Sequence, residues 1–395
     1  MEHFKNLTVL SLEQATVLPY LTYRLAQDGI RVIRMEHPVY GDPNRLVGWN
    51  LLGEERMNTY YLCINSGKKA ITLNLASPKG QELLRDLIRK LNVDIFSTNT
   101  LPRNYEKLGI DYDSLRAVKP DIIWLGVTGF GPDSNEAAYD PILQARSGLM
   151  DLTGEKNGDP MVLGIPLPDM GTSEHCYGLI MKALYKRAMT GEGSCIHMSM
   201  FESSCSWLTV PITFTKLGRT ITRRGNTHEF FAPVSVYKTR DGYIYLAVGN
   251  DRQWKSMVSL DIFKSLDREE YETNEGRIRN VKELNEQINE ITINHASEEL
   301  IDLFRQITVP VSKINTIPEV LEEYLVQRRL LTAEDPITGT RITLPPPPHM
   351  TPFLEENNRK LSFPPRFGEH NQEIYGELLG YSQEDLESFK KEKII

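Results

Sequence analysis

In the stretch "GIPLPDMGTSEHCYGLIMKAL", residues 164–184, Asp169 stands between Pro168 and Met170 at the end of an apolar run. Small residues follow, then a helical pattern that ends at "TGEG". Two kinds of chemistry fit a carboxylate there. As a helix N-cap it would accept hydrogen bonds from free backbone N–H groups and complement the helix dipole. As a nucleophile it would use the same surroundings, because a carboxylate at a helix start is expected to be held ionised. Gly164 and Gly171 would let backbone approach a substrate closely. The residues alone leave both readings open.

Other chemistries lack their residues. No Walker A sequence is present, and the first β-α turn, "LEQATVLPY", has none of the glycines that a dinucleotide pyrophosphate needs. Glu36 ends the second strand, where a ribose-binding acid would sit, but without those glycines it does not make an NAD site. "GVTGFGP" (126–132) leads to no clear helix and reads as a tight loop. There is no His-Glu-x-x-His, no Cys/His ligand cluster and no Gly-x-Ser-x-Gly elbow, so neither a metal nor a serine nucleophile is expected. His175 and His197 read as packing or helix-surface residues. Cys63, Cys176, Cys195 and Cys205 show no Cys-x-x-Cys spacing and read as reduced thiols of a cytoplasmic protein.

The elements that must position Asp169 come from an alternation of two periods. "LTVLSL" (7–12), "RVIRME" (31–36), "VDIFST" and "DIIWLGVTG" read as strands. Between them lie a helix opened by Pro19 at its first position and closed at Gly29, and a helix capped by Ser77 with Pro78 at N1. The second of these carries Leu83, Leu84, Leu87, Ile88 and Leu91 on one face. Strands alternating with helices imply parallel crossovers and a sheet covered on both faces. "CIHMSMFESSCSWL" (195–208) is a strand running into a helix. "RTITRRGNTH" (219–228) is a plausible boundary. A hairpin turns at Arg240-Asp241-Gly242, and residues 260–308 are mostly helical. "LPPPPH" (344–349) is a stiff strap, and Ser382 caps a short final helix.

A chain of 395 residues favours two domains, or a large and a small one. Its net charge of −8 speaks against a nucleic-acid surface, and Arg223-Arg224 and Lys390-Lys391 are too short as basic clusters. No apolar run is long enough to span a bilayer, and "MEHFKNLTVL" has neither the basic flank nor the apolar core of a signal peptide.

Seven segments in register decide between the readings of Asp169. "VIRMEHPVYGDPNR" (32–45), "NSGKKAITLNLASPKGQELLRDLI" and "YDPILQARSGLMDLTGEKNGDPMVLGIPLPDM" resemble the signature stretches of the class III CoA-transferases. "TGEGSCIHMSMFES", "DGYIYLAVGNDRQW", "VPVSKINTIPEVL" and "FGEHNQEIYGELLGYS" follow in order. This is the family of formyl-CoA, carnitine-CoA and arylsuccinate CoA transferases, and of the α-methylacyl-CoA racemases. The resemblance implies an α/β fold: a Rossmann-like large domain from residues 1–220 plus a returning strap and tail, 331–395, with a smaller α+β domain, 221–330, inserted. It also implies two chains threaded through each other as interlocked rings.

For the chemistry, the resemblance implies that Asp169 attacks a donor thioester to give a mixed anhydride, and then carries CoA as an aspartyl thioester. Thr16, Asp140 and Tyr139 fall at supporting positions, and Ala15, His37, Asn99 and Lys107 at positions that meet CoA. Thr16 replaces a glutamine, and Lys107 an arginine whose bidentate fork it lacks. The family's glycine loop is not found; "RGNTHEFFAP" is the nearest stretch. Acyl-CoA and a free carboxylic acid are the implied substrates, with no permanently bound cofactor. Analogy with other branches points to succinyl-CoA as donor and an arylsuccinate-type or other bulky acid as acceptor. Two alternatives stay open. A racemase would need a histidine where Tyr139 stands, and tyrosine is a poor base near neutrality. A supporting, non-catalytic subunit of a heteromer would explain the altered CoA positions.

Overall fold

The structure is a computed structural model that describes residues 2–395, and in it the apolar runs of the N-terminal part become parallel strands. In chain order the elements are β1 (Thr8–Leu12), α1 (Val17–Gln27), β2 (Arg31–Glu36), β3 (Lys68–Thr72), α2 (Pro78–Lys90), β4 (Ile95–Thr98) and β5 (Ile123–Thr128). Next come α3 (Asp140–Arg146), α4 (Leu167–Thr190), β6 (Ser194–Ser199) and α5 (Met200–Ser206). The sheet order is β3-β2-β1-β4-β5-β6, with every pair parallel. Side chains alternate between its faces. Leu10, Ile33 and Ile71 meet Leu83, Leu84 and Leu87 of α2, together with Ile374, Tyr375, Leu386 and Phe389 of the chain's tail. Val9, Val32 and Ile123 meet Leu18, Leu21 and Leu25 of α1, and Cys176 and Ile180 of α4. Both faces are therefore covered, as a parallel sheet requires.

Local signals explain most helix ends. The Ser77 hydroxyl accepts the Gly80 N–H with Pro78 at N1, and Gly191 ends α4 at φ 75°. α1 differs from expectation: it begins at Val17, so Pro19 is its third residue. The whole first turn tolerates proline, because its N–H groups have no intrahelical acceptor.

The chain divides into two units, Met1–Leu149 with Val162–Thr213 and Leu325–Ile395, and Met150–Met161 with Phe214–Tyr324. The sequence reading put Met150–Met161 with the larger part. It joins the other because the Arg223 guanidinium bonds the Asp151 carboxylate at 2.8 Å and the Gly158 carbonyl at 2.8 Å, and Gly225 donates to the Gly154 carbonyl. That second unit holds the antiparallel strands β7 (Val234–Thr239), β8 (Gly242–Ala247) and β9 (Val311–Lys313). Helices Val281–Thr292 and Ser297–Gln306 cover it through Leu284, Ile288, Leu300 and Phe304. In the first unit the strap leads from β11 (Arg341–Leu344), paired with β10 (Leu331–Glu334), toward β12 (Lys360–Ser362).

Candidate active site

The strand order reverses direction between β1 and β4, which opens a crevice beyond their carboxyl ends. Asn99, just after β4, ties the two sides together. Its Nδ2 donates to the Gln14 carbonyl at 2.8 Å, and its Oδ1 accepts the Gln14 N–H at 3.2 Å. Over this crevice lies a cavity of about 680 Å³ whose wall includes Ala15, Thr16, Asn99, Tyr139, Asp140 and Asp169. That volume is in the range of small-molecule sites. Six of the eight residues singled out by sequence thus converge.

Asp169 is the third residue of α4, and the N-cap position belongs to Pro166, which has no side chain to cap with. The N-cap reading is therefore corrected by one turn. Among the described residues no group donates a hydrogen bond to the Asp169 carboxylate. Instead its backbone N–H donates to Asp140 Oδ2 at 3.1 Å. Burial, and then the negative charge of Asp140, push the Asp169 carboxyl up to about 7. The expectation that the helix start holds it ionised is corrected too: removal from water and a neighbouring acid outweigh the dipole.

Asp140 opens α3 and is buried, and burial raises its carboxyl despite bonds from Gln144 and the Asp169 N–H. Gln144 Nε2 donates to Asp140 Oδ1 at 2.5 Å, while its Oε1 accepts the Leu163 N–H at 2.9 Å. One amide thus fixes both the acid and the loop that enters α4. Tyr139 precedes them, 74% exposed, and lines the cavity. The fully buried Ser173 hydroxyl lies 2.8 Å from the Asp169 carbonyl and 2.5 Å from that of Val17, and links α4 to α1. Trp207 packs on Gly171, where a Cβ would lie 1.5 Å from the ring. Its Nε1–H donates to His175 Nε2 at 3.1 Å, and His175 Nδ1 lies 2.8 Å from the Ser203 hydroxyl.

Thr16, buried, ends the β1–α1 turn with its hydroxyl 3.5 Å from that of Tyr60, another wall residue. Tyr60, Gln14 and Asn44 line the cavity and were missed by sequence reasoning. Asn44 lies within the resembling stretch 32–45, but nothing in the sequence marks which of its residues reach the wall. Glu36 is not a ribose ligand: Arg45 occupies both its oxygens, at 2.7 and 2.8 Å.

His37 and Lys107 are not among the wall residues. His37 Nδ1 accepts the Val39 N–H at 3.1 Å, its ring stacks on Tyr40, and burial lowers its pKa, so near neutrality it is an uncharged ring. Lys107 is exposed. Among the described residues, no lysine, arginine or histidine lines the cavity. No group of three or more His, Cys, Asp or Glu among them could hold a metal ion, and no helix is long and apolar enough to cross a membrane.

Residues 4–371 match the family described as CoA-transferase family III. The chain is 32% identical to the succinyl-CoA:glutarate CoA-transferase of Homo sapiens, over 95% of this chain and 86% of that one. It is 32% identical to the succinate–glutarate CoA-transferase of Agrobacterium fabrum, over 94% of this chain and 95% of that one. The crystal structure of a CaiB/BaiF family protein from Brucella suis superposes with a TM-score of 0.81 at 30% identity, covering 94% of this chain and 98% of that chain. The parallel sheet, the stretches in register along the chain and these likenesses lead to one conclusion: the chain belongs to CoA-transferase family III and is a CoA-transferase.

Proposed function

We propose that this enzyme moves CoA from succinyl-CoA, or a similar dicarboxylic acyl-CoA, to a free dicarboxylic acid of about glutarate's size, with Asp169 as the nucleophile. The observation that carries the reading is a carboxylate in a cavity, with a pKa near 7, to which no described residue donates a hydrogen bond. Its oxygens are more basic than an ordinary aspartate's, yet a large share is ionised at neutral pH. Basicity with unengaged lone pairs favours attack on a carbonyl.

Asp169 attacks the thioester carbon, and CoA leaves as thiolate, giving an aspartyl-acyl anhydride. The thiolate then attacks the aspartyl carbonyl and releases the donor acid, leaving CoA on Asp169 as a thioester. The acceptor carboxylate attacks that thioester and expels the thiolate, which finally attacks the acceptor's acyl carbonyl and frees Asp169. One thioester is consumed and one formed, so the energy is kept, provided that water stays out. Asp140 keeps the Asp169 carboxyl basic by its charge and holds the backbone at Asp169. The Thr16 hydroxyl and the first-turn N–H groups of α1 are the donors this reading assigns to the tetrahedral oxyanions; in α4 the Leu167 N–H is taken by the Ile165 carbonyl and the Asp169 N–H by Asp140, and Pro168 has none. Ala15 and Asn99 shape the pantetheine wall. Lys107, exposed, meets the CoA phosphates beyond the cavity, and His37 offers them its Nε2–H without a charge.

The acceptor follows the names of the two curated relatives, whose acid is glutarate. The arylsuccinate of the sequence reading has no such support. The absence of histidine from the described wall, with Tyr139 in its place, disfavours a racemase. The test is mass-spectrometric exchange between succinyl-CoA and a panel containing glutarate, a branched dicarboxylate, benzylsuccinate and monocarboxylates. Glutaryl-CoA as the fastest-formed product is expected. A monocarboxylate or arylsuccinate forming its thioester much faster would overturn the acceptor assignment.

A further inference from the structure

We infer that Asp42, far from the reacting atoms in sequence, is a positioning residue that holds the β1–α1 turn in its working shape. Ala15 has φ 61°, a left-handed conformation that a Cβ disfavours. Asp42 and Asn44 clasp it from both sides. Asp42 Oδ1 accepts the Ala15 N–H at 3.0 Å and the Asn44 N–H at 2.9 Å. Asn44 Nδ2 donates to the Ala15 carbonyl at 2.6 Å. The turn that carries Ala15 and Thr16 is thereby locked to the loop after β2.

The clasp is anchored in a buried ion network. Asp42 Oδ2 accepts from Arg34 Nη2 at 2.7 Å, and Arg34 is fully buried in β2. Arg34 also bonds the Asn65 side chain, which accepts from Lys68 at 2.8 Å. Lys68 reaches Glu13 at 3.0 Å and the Pro19 carbonyl of α1 at 2.7 Å. Arg45 pairs with Glu36, and Glu36 Oε2 accepts the Asp42 N–H at 3.0 Å. Glu13, Glu36 and Asp42 face Arg34, Arg45 and Lys68, so the cluster balances in charge. A balanced, hydrogen-bonded cluster is rigid, because removing any one partner strands a buried charge. It also reaches the cavity, since Ala15, Thr16 and Asn44 are wall residues. The stretch 32–45 thus acts on the reaction through backbone geometry at Ala15. The inference rests on the proposed function in one respect, that the acyl group sits beside Asp169.

Four variants test it, Asn44→Ala, Asp42→Asn, Ala15→Gly and the last two combined, each read for kcat, KM, melting temperature and the trapped Asp169 adduct. Asn44→Ala removes one arm of the clasp and leaves every charge in place. It should lower kcat/KM roughly tenfold, as a small misplacement of a reacting group does, while melting temperature changes little. Asp42→Asn should lose more. Adding Ala15→Gly to Asp42→Asn should recover part of the loss, because glycine holds the left-handed turn unaided. A stabilising network with no hand in the reaction would give lower melting temperatures with kcat/KM unchanged, and that result in Asn44→Ala overturns the inference. So would strict additivity of Asp42→Asn and Ala15→Gly. If Asp42→Asn does not fold, Asn44→Ala decides alone. Failure of the nucleophile reading would instead appear as no adduct in the unaltered enzyme, a result that none of these substitutions can produce.

Discussion

Asp169 titrates near 7 because it is withdrawn from water beside a second acid, and no described residue donates a hydrogen bond that would stabilise its charge. Transfer should therefore rise with pH and level off above about 7. Asp140→Asn removes the negative neighbour, so the inflection of kcat/KM against pH should move down, by less than the full shift because burial remains. An inflection that stays in place would show that Asp140 does not act on Asp169 electrostatically. Stability carries the opposite sign. A carboxyl raised above its ordinary 3.8 favours the folded state fully only below that value, and the contribution is lost as pH climbs through 7. Asp169→Asn, with no charge to desolvate, should raise the melting temperature at pH 8 and change it little near pH 4. The residues alone show none of this; only the family resemblance puts Asp140 at a supporting position. The stretch around Asp169 shows a carboxylate near a helix start, whereas its pKa depends on Asp140, 29 residues away.

At the scale of elements, periodicity carried most of the fold. β2 spans the same residues as the expected "RVIRME", Ser77 caps α2 as read, and β7 and β8 form the expected hairpin. Proline marks helix starts only to within a few residues: Pro78 opens α2 as expected, whereas Pro19 is the third residue of α1. Pro19, Pro166 and Pro168 all sit at or near helix starts, and a helix can begin on either side of them. The turn at Ala15 gave no signal, because alanine in a left-handed conformation looks like any alanine; its partners lie 27 and 29 residues away. The close approach of Trp207 to Gly171 was equally hidden. It yields a prediction about α4. Gly171→Ala should cost about 1–3 kcal/mol by overpacking and lower transfer, since the first turn bearing Asp169 must shift. Replacing Trp207 with leucine in the same chain should restore much of both. A higher melting temperature for Gly171→Ala alone, as helix propensity by itself predicts, would show that the ring moves aside freely.

At the scale of the whole molecule, the resemblance in sequence did what pattern reasoning could not. Strand alternation implied a parallel sheet, but only the seven segments in register pointed to CoA transfer, and the match over residues 4–371 establishes the family. The threaded homodimer implied by that resemblance is a proposal. Its support is family membership, and it predicts that tagged and untagged preparations, mixed under native conditions, do not form mixed dimers until unfolded and refolded together. Fast exchange would reject threading, and copurification of a second, different chain would favour the heteromeric form.

The proposed function requires Asp169 to carry first the acyl group and then CoA. It is tested most directly by incubating the enzyme with succinyl-CoA, quenching with hydroxylamine and mapping the modified peptide by mass spectrometry. A hydroxamate on the peptide containing Asp169 is expected, together with loss of both adduct and transfer in a folded Asp169→Asn enzyme. Transfer at near the original rate in Asp169→Asn, or a hydroxamate on another residue, would contradict it.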